Sequence, residues 1–148
     1  MTVGEVMNTE YARLSPEATV REAVDLLSAS QASDVMVVGP DDRFVGVLSE
    51  GDLIRAVLPR YEELLRDGGS LSDAPEVFLE KGRALAAGNI ASLVIKNALT
   101  VSPDELILKA AGTMISKQIR RLPVVSEGRL QGTVSRADIC RGVLTGGR

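Results

Sequence analysis

The sequence predicts an α/β protein in which two tandem βαββα units pack sheet to sheet with pseudo-two-fold symmetry, with a helical insert between them. Three observations predict it. The 148 residues hold 45% hydrophobic and 25% charged side chains, the balance of one packed module and too short for two independent domains. The second half restates the first in register. The stretch between the copies has helical periodicity and no counterpart elsewhere.

The repeat is read from particular residues. Ser15-Pro16 returns 87 residues on as Ser102-Pro103, and Val20, Ala23, Val24 and Leu27 fall on Ile107, Ala110, Ala111 and Met114. Apolar residues at i, i+3, i+4 and i+7 make each segment an amphipathic helix, and Ser-Pro-acid ahead of it reads as the helix start. Gln31 matches Gln118, and the β-branched pair Val37-Val38 matches Val124-Val125, a strand. Gly39-Pro40-Asp41-Asp42 shortens to Ser126-Glu127-Gly128, a change that a turn tolerates. Beyond it Arg43, Gly46, Ser49, Asp52 and Arg55 match Arg129, Gly132, Ser135, Asp138 and Arg141, closing each unit with a strand and a helix. The units are therefore 1–58 and 90–148. In the insert, 59–89, Tyr61 to Arg66 and Glu76 to Ala87 read as two helices broken by Gly68-Gly69 and Pro75.

Composition removes several function classes. The chain has no histidine and a single cysteine, Cys140, so Ser/His/Asp and Cys/His mechanisms, a disulfide and a zinc site are excluded. Neither a phosphate loop nor a dense acidic metal motif is present, and an enzyme is not expected. No apolar run approaches the ~18 residues of a membrane span, and residues 1–10 lack the pattern of a signal peptide, so a cytoplasmic location is expected. From Ser102 onward eight Lys or Arg stand against four Asp or Glu, a local charge of +4 in a chain of net −3. That half is the candidate for an anionic ligand. With two Phe, two Tyr and no Trp to stack on bases, nucleic acid is not the expected partner.

Each unit ends in a Ser-x-x-Asp motif: Gly46-Val47-Leu48-Ser49-Glu50-Gly51-Asp52 and Gly132-Thr133-Val134-Ser135-Arg136-Ala137-Asp138. Serine after a strand can cap the next helix, with Asp three residues on bonding back to the cap's N–H. The same geometry offers a helix N-terminus to a phosphate and a carboxylate to a ribose diol. Together with Arg120-Arg121-Leu122-Pro123 before the turn and Thr100-Val101-Ser102-Pro103 at the helix entry, the pattern resembles the CBS domain, named after cystathionine β-synthase, whose motifs occur in tandem pairs.

The resemblance implies a regulatory module, with no cofactor required, that binds AMP, ADP, ATP or S-adenosylmethionine in the cleft between repeats and signals by conformational change. It carries Ser49, Asp52, Ser135 and Asp138 over as candidates for ribose and phosphate. Thr100, Val101, Leu122 and Pro123 are the candidate adenine walls. Arg136 stands where the first motif has Glu50, and Arg120 and Arg121 where it has Ser33 and Asp34, so the second motif is expected to favour phosphate. Met36 replaces the proline matched by Pro123, which points to a degenerate first pocket. The resemblance also implies a homodimer through 53–58 and 139–144 and an unidentified regulated protein. The alternative is a structural, protein-interaction module without ligand.

Overall fold

The computed structural model describes residues 1–58 and 74–146. The first unit runs α1 (Val3–Val6), β1 (Arg13–Leu14), α2 (Val20–Ser30), β2 (Asp34–Val38), β3 (Phe44–Ser49) and α3 (Glu50–Val57). After α4 (Ala74–Ala86) and a 3-10 turn at Ile90–Ser92 come α5 (Ile107–Ser116), β4 (Arg121–Ser126), β5 (Arg129–Ser135) and α6 (Arg136–Thr145). In the first sheet β1 is parallel to β2 and β2 antiparallel to β3; in the second β4 is antiparallel to β5. No described helix is long and apolar enough to cross a membrane.

The repeat is visible at the level of single backbone angles. Gln31 and Gln118 both adopt positive φ, at 54° and 56°, where each first helix turns toward its strand. Both hairpins carry a register shift at matched places, Val37/Val38 and Val124/Val125. Glu127 and Gly128, with φ of 52° and 78°, form the two-residue turn between β4 and β5, and positive φ at both positions is what a tight hairpin of this twist requires.

Two expectations are corrected. Ser15-Pro16 and Ser102-Pro103 do not start the helices; each opens a turn, with the Ala18 and Glu105 N–H groups donating to the Ser15 and Ser102 carbonyls at 3.1 Å. Proline suits the second position of such a turn, and α2 starts at Val20 because Thr19 and Glu22 form a capping box there. Pro75, expected to break the insert, lies in the first turn of α4, where its missing N–H leaves no helical bond unmade. Of the insert's two expected helices, Glu76 to Ala87 corresponds to α4, while Tyr61 to Arg66 and Gly68-Gly69 lie outside the described residues.

The two units are interlocked by an exchange of their leading segments. Val3 and Val6 of α1 lie in the core of the second unit, with Ile107, Ala110, Met114, Val124 and Val134. Ile90, 87 residues after Val3, lies in the core of the first, with Val20, Ala23, Leu27, Val35 and Leu48. Both are fully buried. The Val3 N–H donates to Glu105 at 2.8 Å, and the Ile90 N–H donates to the equivalent Ala18 at 3.1 Å. Further on, Asn8 pairs with Thr133 of β5 and Ile95 with Val47 of β3. A third cluster, Met36, Val38 and Leu130, joins the two sheets. The sequence boundaries 1–58 and 90–148 therefore do not divide the core.

Glycine is required where the exchanged segments cross the strands. A Cβ on Gly46 would stand 2.4 Å from the Ile95 carbonyl oxygen, and one on Gly132 2.6 Å from that of Asn8. Backbone cannot swing aside like a side chain. Gly46→Ala and Gly132→Ala are each expected to lower unfolding stability by about 2 kcal/mol or more in thermal melts. Gly82→Ala, in α4 with no atom within 4 Å of the added carbon, is the contrast. It should be neutral or stabilising by up to about 1 kcal/mol.

Candidate functional site

Both Ser-x-x-Asp motifs fold as capping boxes. The Ser49 hydroxyl accepts from the Asp52 N–H at 3.2 Å, while the Ser49 N–H and hydroxyl donate to Asp52 Oδ2 at 3.0 and 2.7 Å. Ser135 and Asp138 repeat this, with 2.8 and 2.9 Å to Oδ2. The other carboxylate oxygen is bonded by an arginine one turn on, Arg55 at 2.6 Å and Arg141 at 3.0 Å. Burial works to raise the Asp52 carboxyl, but the bonds from Ser49 and the Arg55 guanidinium together outweigh it and hold the group below the ordinary aspartate range.

The cleft that brings sequence-predicted residues together has a volume of about 490 Å³ and walls from both units. Ser49, Glu50 and Asp52 come from the first unit; Arg120, Arg121, Leu122 and Pro123 face them from the second. Val47, Ile95, Ala98 and Leu99 complete its apolar side. Thus Leu122 and Pro123, which the sequence grouped with the second motif, stand opposite the first, and Arg120 and Arg121 border both motifs. Thr100 and Val101 do not line this cleft. Val101 is buried in the second core, bridged to Val124, and Leu122 is a core residue that reaches the cleft only at its edge.

One residue difference accounts for the opening. In the first unit the Met36 N–H donates to the Ala12 carbonyl at 2.9 Å and ties the lead-in to β2. Pro123 occupies the matched place and has no N–H, so Leu99, matched to Ala12, is not tied to β4 in that way. The second lead-in touches its sheet through Val101 instead, and Ala98 and Leu99 are left as cleft wall. Met36 is buried against Leu130, in the layer between the sheets.

The second motif borders a different space, about 480 Å³, lined by Ser33, Arg120, Arg121, Ser135, Arg136 and Ala137. It is polar and cationic where the first cleft is half apolar. Arg136 is not a free cation there. Its guanidinium donates to the Ile119 carbonyl at 3.1 Å and the Met114 carbonyl at 3.2 Å, closing the C-terminal end of α5. Arg120 has no ion pair among the described residues.

Residues that sequence reading missed are Val47, Ile95, Ala98 and Leu99, whose relation to the motif depends on the exchange. Asp34 was noticed only as the counterpart of Arg121. In space the two are partners, with Arg121 Nε 3.2 Å from Asp34 Oδ1 and its Nη1 donating to the fully buried Thr133 hydroxyl at 3.3 Å. Burial pushes the Asp34 carboxyl above its ordinary range, with Arg121 opposing.

Asp52 gives a pH test. Because its carboxyl is more acidic folded than unfolded, it contributes stability above the unfolded value, about 3.9, that is lost as pH falls through the lower folded value. Asp52→Asn is therefore expected to be less stable than the parent at neutral pH. The gap between their denaturant midpoints should narrow as pH drops below about 4.

The CBS domain family model matches residues 3–59 and 90–145. Two uncharacterized proteins of Methanocaldococcus jannaschii are similar, one 27% identical over 83% of this chain and 80% of its own length, the other 26% identical over 94% of this chain and 41% of its own. Among solved structures, CBSX2 of Arabidopsis thaliana in complex with AMP superposes with a TM-score of 0.73 at 24% identity, covering 99% of this chain and 98% of that one. A CBS domain protein of Pyrobaculum aerophilum complexed with AMP gives 0.69 at 23%, covering 99% and 97%. These likenesses show the shared fold.

Proposed function

The chain belongs to the CBS domain family, and we propose that it is a non-catalytic, cytoplasmic regulatory module that binds an adenosine-derived ligand in the cleft between its repeats. The observation that carries this is the cleft around Ser49 and Asp52, which combines an apolar wall, a helix N-terminus, a carboxylate and two arginines. The base lies against Val47, Ile95, Leu99 and Pro123. The ribose diol takes Asp52, whose Oδ1 is freed as Arg55, 69% exposed, swings away. Phosphate lies toward the start of α3 and Arg120 and Arg121. That two similarly folded proteins are complexed with AMP supports the ligand class.

Charge alone favours the second motif, but a nucleoside needs apolar surface as well, and the first motif's cleft supplies more of it. The space beside Ser135 and Arg136 suits a phosphate group or a free anion. Because both units form the walls, ligand favours whichever relative arrangement binds it better, and the signal is limited to that difference in affinity.

Isothermal titration with AMP, ADP, ATP and S-adenosylmethionine tests the reading. Saturable binding of one of them is expected, weakened at least about ten-fold by Asp52→Ala and little changed by Asp138→Ala. No binding of any up to millimolar concentration replaces this function with a ligand-free interaction module. Loss through Asp138→Ala alone moves the nucleoside to the second motif.

Self-association through the second unit is the companion proposal. Helices α5 and α6 pack side by side and leave Leu108, Ile115, Val143 and Leu144 exposed, at 81, 67, 60 and 79%. On the first unit α4 packs over α2 and α3, and the positions matched to Leu108 and Ile115 are Arg21 and Ser28. The face around 139–144 is therefore the better dimer contact, and that around 53–58 is partly covered in cis. Sedimentation is expected to show Leu108→Glu/Val143→Glu as a monomer and Ile54→Glu unchanged from a dimeric parent. The reverse pattern assigns the contact to the first unit.

A further inference from the structure

Among the matched positions that carry opposite charges are Asp34 at the start of β2 and Arg121 at the start of β4. They meet across the boundary between the units at 3.2 Å, with side chains 17% and 29% exposed, and both line the cleft that holds Ser49 and Asp52. The Arg121 guanidinium is held on two sides, by Asp34 and by Thr133. Its remaining amino group makes no hydrogen bond among the described residues. We infer that Asp34 is a built-in counter-anion that competes with the ligand's phosphate for Arg121 and so sets the cleft's preference for ligand charge.

The inference rests on the adenosine-ligand reading and deepens it. A cation already neutralised at close range attracts a second anion only by the field left over, and in a cleft that also holds Glu50 and Asp52 that remainder is small. A phosphate must share Arg121 with Asp34 or draw it off, and in drawing it off opens the ion pair that joins β2 to β4. Neutral adenosine makes neither demand. Asp34 thus lowers affinity for phosphorylated ligands while leaving the nucleoside's own contacts intact.

The experiment is calorimetric titration of the parent, Asp34→Asn, Arg121→Gln and the double variant with AMP and with adenosine at fixed ionic strength, each variant's folding being checked by thermal unfolding. Asp34→Asn is expected to bind AMP roughly ten-fold tighter and adenosine as the parent does. Arg121→Gln should weaken AMP by a similar factor with adenosine unchanged, and Asp34→Ala carries the test if Asp34→Asn fails to fold. The double variant should lose the gain of Asp34→Asn. Equal effects on AMP and adenosine, or none on AMP while adenosine still binds, overturn the role of Asp34 and leave the ligand reading standing. If neither compound binds the parent or any variant, the ligand reading falls and this inference with it.

Discussion

The exchange of leading segments is the constraint on which the rest of the structure depends. Val3 and Ile90 are fully buried in the core of the opposite unit, and each such burial stabilises by about 1.5–3 kcal/mol. Neither unit completes its core alone, so the two fold as one body. The exchange also fixes how the sheets meet, because Asn8 is paired to Thr133 and Ile95 to Val47, over glycines that allow no closer side chain. The cleft is a product of this arrangement. Ile95, one of its walls, is carried to the first unit's β3 by the segment that leads into the second.

Within that frame the Ser-x-x-Asp motif is a helix cap, and the proposed function gives the same atoms to a ligand. A cap that fixes a helix start also aims its N–H groups and a carboxylate at one point in space. The two boxes are nearly superimposable in their bonding, so what distinguishes the sites lies outside the motif. Pro123 is the main difference. It lacks the N–H that in the first unit ties the lead-in residue at the matched place, so Leu99 is held to β4 only through Val101, whereas Met36 both donates that bond and fills the layer between sheets.

The repeat, both hairpins, the amphipathic helices α2 and α5 and the capping boxes were legible in the sequence, because each depends on local pattern. The exchange was not. Its trace, Val3 and Val6 matched to Ile90 and Leu93, is two apolar residues in a short segment, and nothing local says whose core they enter. That gap explains why Leu122 and Pro123, which sequence order places with the second motif, stand opposite the first, while Arg120 and Arg121 border both. Arg136 shows a second limit. Its charge was legible, but the partners that fix it, the carbonyls of Met114 and Ile119, are backbone atoms brought near by the end of a helix.

Interlocking also limits what a ligand can do to the molecule. The exchanged segments are joined by four bridges, Thr2–Leu106, Asn8–Thr133, Thr19–Asn89 and Val47–Ile95, and a large rotation of one unit against the other would break this paired backbone. The stretch from Lys117 to Arg121 carries Arg120 and Arg121 to the cleft. Arg136 clamps this stretch, through its N–H to the Arg120 carbonyl at 3.1 Å and its guanidinium to Ile119. The same residue begins α6 and closes α5, the two helices of the exposed apolar face. In the proposed function, a ligand that engages either arginine would therefore act on a segment bonded to the helix ends of that face.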